Sequence, residues 1–362
     1  MKKLFLLIIS LFFSIQMCFP TENKNLNTSE IGIVKNLEFV ELNESEVAQV
    51  KQDVEVKLLS GEFKGETVVI ENILTGNPYY DIKLKKGVKV LLHVEETEEG
   101  YIYSIDNIKR SGILFWLSAL FCALLIYVGK IKGLYSLISI VLTCFLITTL
   151  LSPMILIGIN PVIGSLLIAL LSTAITMYAV GGFNKKSSSA ILGCLLSIIF
   201  ATFLAYATVK IASLNGFTDE EAMFLFSTHP QLDFVGLVIS MIILATLGAV
   251  MDVAMSIAST INEIYTIDNT KTIKELFKSG MNVGRDIIGT MANTLILVYM
   301  GSSLPLILLA NNIDYTKFTN LASVVTEISS ALIGSCAIII CVPITALVAS
   351  RLIKTDSKNL EI

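Results

Sequence analysis

Between residues 31 and 108, apolar and polar side chains trade places at every second position. Val54, Val56 and Leu58 alternate with Asp53, Glu55 and Lys57, and Val88, Val90, Leu92 and Val94 interleave with Lys89, Leu91, His93 and Glu95. A strand turns successive side chains to opposite faces, so a period of two marks strands with one buried face. The GEFKG stretch from Gly61 to Gly65 reads as a turn between two of them. About five short strands fit this stretch, which predicts a small antiparallel β domain, either an OB-like barrel or a sandwich. Tyr79, Tyr80, Tyr101 and Tyr103 are candidates for a ligand surface. Tyrosines in such a setting are more often half-buried members of the sheet, and the same holds for His93 on its strand.

The pattern changes at Ser111. Apolar residues now run on without alternation, in segments near the roughly 20 residues that cross a bilayer. The segments lie at 112–129, 134–152, 161–181, 190–209, 234–258, 287–310 and 322–349, separated by short polar breaks. The expected fold is therefore an α-helical polytopic membrane protein with about seven transmembrane helices over 111–362, preceded by a small extracytoplasmic β domain over 21–110. Residues 1–20 form a third region, in which Lys2 and Lys3 lead into an apolar run from Leu4 to Ile15. This is the form of a secretory signal peptide, with an uncleaved N-terminal anchor as the alternative because no small-residue cleavage site follows. Cys18 invites a lipoprotein reading, but Met17 stands where a small residue is needed.

Composition sharpens this division. The chain is 54% hydrophobic and 15% charged, against about 25% charged in soluble domains. A net charge of -4 leaves no basic excess for nucleic acid, so the bilayer is the expected partner. All six cysteines lie in apolar runs without a CxxC pair, and His93 and His229 are far apart. Neither a metal site nor a cofactor is predicted. With no Ser–His pair, HExxH or P-loop pattern, an enzyme is not expected.

The basic residues orient the spans. Lys130, Lys132, Lys185, Lys186, Lys271, Lys274, Lys278 and Arg285 fall in one set of loops, with Arg351, Lys354 and Lys358 in the tail. The opposite loops hold Lys210 and Lys317, and Lys109 and Arg110 precede the first span. The positive-inside rule places the first set and the C-terminus in the cytoplasm and the β domain outside, as the signal pattern also predicts. Two loops carry capping-box patterns, Thr218 to Glu221 outside and Thr272 to Glu275 inside, the second opening an amphipathic helix at the inner interface. His229-Pro230 reads as a simple turn.

Polar residues also occur where lipid is expected. In the fifth span Asp252, Ser256, Ser259 and Glu263 share one helical face. In the sixth, Asp286, Thr290 and Asn293 share another, so the two stripes are expected to be able to face each other. With Glu263 at the interface, Asp252 lies about 16 Å deeper, and Asn293 about 12 Å in from Arg285. A midplane carboxylate costs at least ~2.5–3.5 kcal/mol, so it must face the bundle or water. The sixth span then reads Gly301-Ser302-Ser303-Leu304-Pro305, where Pro305 breaks the helix, either lining a site or as a kink satisfied by Ser302 or Ser303. Pro153, Gly158 and Pro161 are expected to shape a tight outer turn. Glu327, with Ser330 and Gly334 on its face, is the second intramembrane carboxylate, nearer the outer side. Small and polar residues of this kind also simply pack helices together.

Five stretches taken together resemble the YibE/F family of bacterial multi-pass membrane proteins: Gly248 to Ser259 (GAVMDVAMSIAS), Gly284 to Leu295 (GRDIIGTMANTL), Gly301 to Pro305 (GSSLP), Phe217 to Ala222 (FTDEEA) and Leu58 to Gly65 (LLSGEFKG). The resemblance implies an outer β domain ahead of a helical bundle in the plasma membrane, and it brings no catalytic or binding residues with it.

Two functions follow as expectations. The first is a permease or transporter of a small solute or ion, with Asp252, Asn293 and Glu327 in a helix-lined path. The second is a non-transporting envelope protein whose β domain binds a protein partner while the bundle anchors or relays that event. An intramembrane aspartyl protease fits less well. Val283-Gly284-Arg285-Asp286 departs from GxGD, and Asp252 and Asp286 differ in depth by about 14 Å.

Overall fold

The computed structural model describes residues 29–41, 50–77, 81–97 and 100–354. The signal or anchor segment, Cys18, Tyr79, Tyr80 and Lys358 lie outside the described residues. Two compact units divide in sequence between Leu124 and Leu125.

The first contains β1 (Ser29–Glu41), β2 (Val50–Leu58), β3 (Thr67–Leu74), β4 (Lys89–Thr97) and β5 (Gly100–Ile108). Their order is β3-β2-β1-β4-β5, with every neighbouring pair antiparallel. The outer strands β3 and β5 also come into contact, so the sheet curls into a nearly closed five-stranded barrel rather than a sandwich. Val34 pairs with Val56 and Val54 with Ile70. The alternating residues Val54, Val56, Leu58, Val90 and Leu92 all point into the core at 0% exposure. Full burial of each such side chain contributes about 1.5–3 kcal/mol. Gln52, also buried, accepts a hydrogen bond from Asn72 Nδ2 at 2.9 Å, so its polarity is compensated. Tyr101 is exposed beside the Phe63 ring, while Tyr103 is half-buried.

The helices are α1 (Ser111–Leu146), α2 (Ser152–Leu156), α3 (Pro161–Gly181), α4 (Lys185–Ile211), α5 (Glu220–Thr228), α6 (Phe234–Ile267), α7 (Ile273–Ser302), α8 (Leu304–Leu309), α9 (Tyr315–Thr319) and α10 (Ala322–Lys354). Five of the described helical stretches are long and apolar enough to cross a membrane, and six if α7 and α8 form one bent span. The difference from the seven expected lies in the first stretch, Ser111–Leu156, which is continuous over 46 residues. At 1.5 Å per residue it measures about 69 Å, more than twice a bilayer core of roughly 30 Å. It is not straight. Lys130 takes φ 49° and ψ -129°, a break between two helices. A Cβ on Gly133 would sit 2.1 Å from the carbonyl oxygen of Leu125, which a straight helix holds two turns away. The chain therefore turns sharply at the break, which brings Gly133 against Leu125.

The core of the bundle is built by α3, α4, α6, α7 and α10. Ala201, Ala205, Ala254, Ala258, Ala337 and Ala346 are wholly buried there, letting backbones approach closely. Buried hydroxyls bond back along their own helices, as Ser197 Oγ does to the Gly193 carbonyl at 2.7 Å. Large apolar side chains such as Phe203 point outward, as lipid contact requires.

Two local expectations change. Thr218 is not the cap of α5: Asp219 is, accepting from the Ala222 N–H at 2.9 Å, because its carboxylate is the stronger acceptor. The amphipathic helix opened by Thr272 has its capping box. It is not a separate interfacial helix, however, but the start of the 30-residue α7. Nothing interrupts it, since Gly280 and Gly284 are packed beneath Ile261 and Val342. The turn expected between Pro153 and Pro161 is present: it holds Gly158 at φ 90° and ends on Asn160, which caps α3.

Candidate functional site

Pro305 has no N–H to offer Gly301, and the helix ends just before it. The last turn of α7 is still closed: Ser303 N and Ser302 Oγ both donate to the Tyr299 carbonyl, at 3.0 and 2.9 Å. The α8 end then leaves α7 at 67°. This bend opens a cavity of about 330 Å³ lined by Tyr299, Ser303, Leu306, Phe318 and Glu327 among others.

A second cavity, about 390 Å³, lies between α6, α7, α10 and the entry to α5, with Thr218, Asp219, Ser323, Thr326 and Ser330 in its wall. Glu327 and Tyr299 line both cavities, so these two side chains form the partition between them. Glu327 stands on the second turn of α10, and its Oε2 is buried without a hydrogen-bond partner among the described residues. The neighbouring Thr326 Oγ1 is in the same condition. Among the described residues, no lysine, arginine or histidine lines either cavity. An ionised carboxylate so placed lacks the compensation that burial demands, so the arrangement suits a proton or a cation and repels an anion.

Asp252 opens onto a different cavity, of about 400 Å³, beside α1 and α3. Ser256 is exposed on the same face of α6, its carbonyl accepting from Thr260 Oγ1 at 2.9 Å, while Ser259 is half-buried. The polar stripe of α7 does not meet this face. Asp286, Thr290 and Asn293 are exposed, and α7 packs instead through Leu276, Gly280, Gly284 and Leu295. The glycines decide this, because they allow the close approach and rotate the polar stripe away from α6. Gly301 is exposed as well. Of the residues singled out in sequence, Glu327 and Ser303 therefore come together, and Asp252 and Asn293 do not join them. Tyr299 and Thr326 went unnoticed in sequence. Tyr299 is one helical turn before Ser303, a spacing that could have pointed to it.

Residues 117–355 match the family model of the YibE/F-like protein, and residues 26–108 match that of the YibE/F family N-terminal domain. The chain belongs to the YibE/F family. No curated protein and no solved structure matches it. In this YibE/F protein the N-terminal match coincides with the barrel, and the larger match takes in all three cavities.

Proposed function

We propose that this YibE/F protein is a permease of a small cation or proton in the bacterial plasma membrane, with the β domain outside and the C-terminus in the cytoplasm. Glu327 carries the reading: an intramembrane carboxylate with an orphaned oxygen, standing in the partition between two cavities. A cation entering past Asp219 would neutralise Glu327, and rotation of Tyr299 would pass it to the cavity under the helix break. Broken helices serve this purpose in many transporters. The orientation rests on the loop lysines and arginines and on the signal pattern. Nothing in the sites calls for an enzymatic step. The test is flux of protons, Na+ and K+ into proteoliposomes under an imposed gradient. Glu327→Gln keeps the shape without the charge, and flux should fall to the level of empty vesicles. Wild-type flux in this variant would sink the proposal.

A second reading has its own support. Asp286, Thr290 and Asn293 lie exposed on a spanning helix, where polar groups usually face protein or water. This favours a membrane or envelope partner covering α7, with the bundle anchoring or relaying an event sensed by the β domain. Cross-linking through Asn293→Cys in whole membranes tests it, and labelling by lipid-phase probes alone would count against it.

A further inference from the structure

We infer that the cavity at Asp252 is a binding site for a hard monovalent cation of the Na+ type, separate from the Glu327 partition. Three elements build it. After the break at Lys130, α1 places Ser136, Ser139 and Thr143 on one face, spaced three and four apart. Thr176 comes from α3 and Asp252 from α6, and all five line the same space of about 400 Å³.

One group in this wall is unexplained by packing. Ser139 is 2% exposed, and its Oγ has no hydrogen-bond partner among the described residues. Its neighbours on the same face are provided for. Ser136 Oγ donates to the Lys132 carbonyl at 3.0 Å, and Thr143 Oγ1 pairs with Ser172 Oγ at 2.8 Å. A buried hydroxyl without a partner is costly, and in a cavity that also holds the Asp252 carboxylate it calls for a ligand. The ligand's charge follows from the lining. Asp252 is the only charged residue in it. A single carboxylate balances one positive charge, and the hydroxyl oxygens are hard donors. The described residues contain no group of three or more His, Cys, Asp or Glu that would match a divalent ion.

Binding stands on this cavity alone. That the bound cation drives transport rests on the permease reading. The experiment is therefore one of binding: equilibrium binding of radioactive Na+ to the detergent-purified full chain, with melting temperature measured in NaCl against choline chloride at equal ionic strength. Saturable binding and a higher melting temperature in NaCl are expected, since a ligand of the folded state stabilises it by mass action. Asp252→Asn should abolish both effects. Ser139→Ala, a change that leaves the carboxylate and the helices in place, should weaken affinity about tenfold through the loss of one coordinating oxygen. Glu327→Gln should bind Na+ as the wild type does. Absence of saturable Na+ binding in the wild type overturns the inference, as does equal binding by wild type and Ser139→Ala, even if Asp252→Asn fails to fold. Flux without Na+ binding removes this site and leaves the permease, whereas binding without flux does the reverse.

Discussion

Tyr299 and Glu327 stand on different helices, α7 and α10, and both face the same two cavities. Among the described residues, neither cavity is lined by a basic one that would neutralise the carboxylate. In the proposed permease, a ring in this position would close the passage by its bulk, while the carboxylate would select what passes by its charge. The two roles are separable by substitution.

Tyr299→Phe keeps the ring and loses only the hydroxyl, so flux in proteoliposomes should stay within about threefold of wild type, a loss below 1 kcal/mol. Tyr299→Ala removes the partition and merges the cavities. It should raise passive leak above wild type while the Glu327 dependence persists. A leak no greater in Tyr299→Ala than in Tyr299→Phe would show that the ring does not gate.

The connection between α6 and α7 titrates. Asp268 accepts hydrogen bonds from the hydroxyl and the N–H of Thr270, with Lys271 nearby, and these hold its carboxyl below the ordinary aspartate range. A depressed folded pKa contributes stability above the unfolded value, and that contribution is lost as pH falls through the folded one. The melting-temperature gap between wild type and Asp268→Asn should be full above the ordinary aspartate range and close as pH falls through the lowered folded value. A gap that widens in acid would contradict these contacts.

The break at Lys130 sets the topology. If the α1 stretches on either side of it each cross the membrane, the described helices cross seven times and the β domain and the end of α10 lie on opposite sides; if α1 crosses once, six crossings put them on the same side. Glu66 is exposed on the β domain, and Asp268 is partly exposed on the α6–α7 connection. In intact cells, an impermeant maleimide should label Glu66→Cys, and should label Asp268→Cys only after lysis. Labelling of both before lysis would remove the second crossing.

Much of this was legible along the chain. The alternation at Val54, Val56 and Leu58 fixed which face of the barrel is buried, because strand geometry leaves no other way to hide them. The polar stretch from Gly129 to Gly133 marked the sharp turn within α1. The helix break was readable because Pro305 removes a donor whatever surrounds it. Neighbour choice was not readable. Periodicity put Asp286, Thr290 and Asn293 on one face, but the packing face was set by Gly280 and Gly284 against Ile261 and Val342, contacts distant in sequence. Likewise Asp252 and Glu327 read as parts of one path, and the fold gives each its own cavity.

Those glycines give the last prediction. A Cβ on Gly284 would lie 2.2 Å from Val342 Cγ1, inside a seam between α7 and α10 that has no slack. Gly289, five residues on in the same helix, has nothing within 4 Å of such a Cβ. Overpacking a tight core costs about 1–3 kcal/mol, while alanine in place of a helical glycine gains roughly 0.5–1 kcal/mol. Gly284→Ala should therefore lower the melting temperature of the detergent-purified protein, and Gly289→Ala should hold or raise it. The same chemical change made on two faces of one helix cancels its intrinsic propensity. The difference between the variants then measures the seam alone, and equal melting temperatures would mean that α7 does not pack on α10 through Gly284.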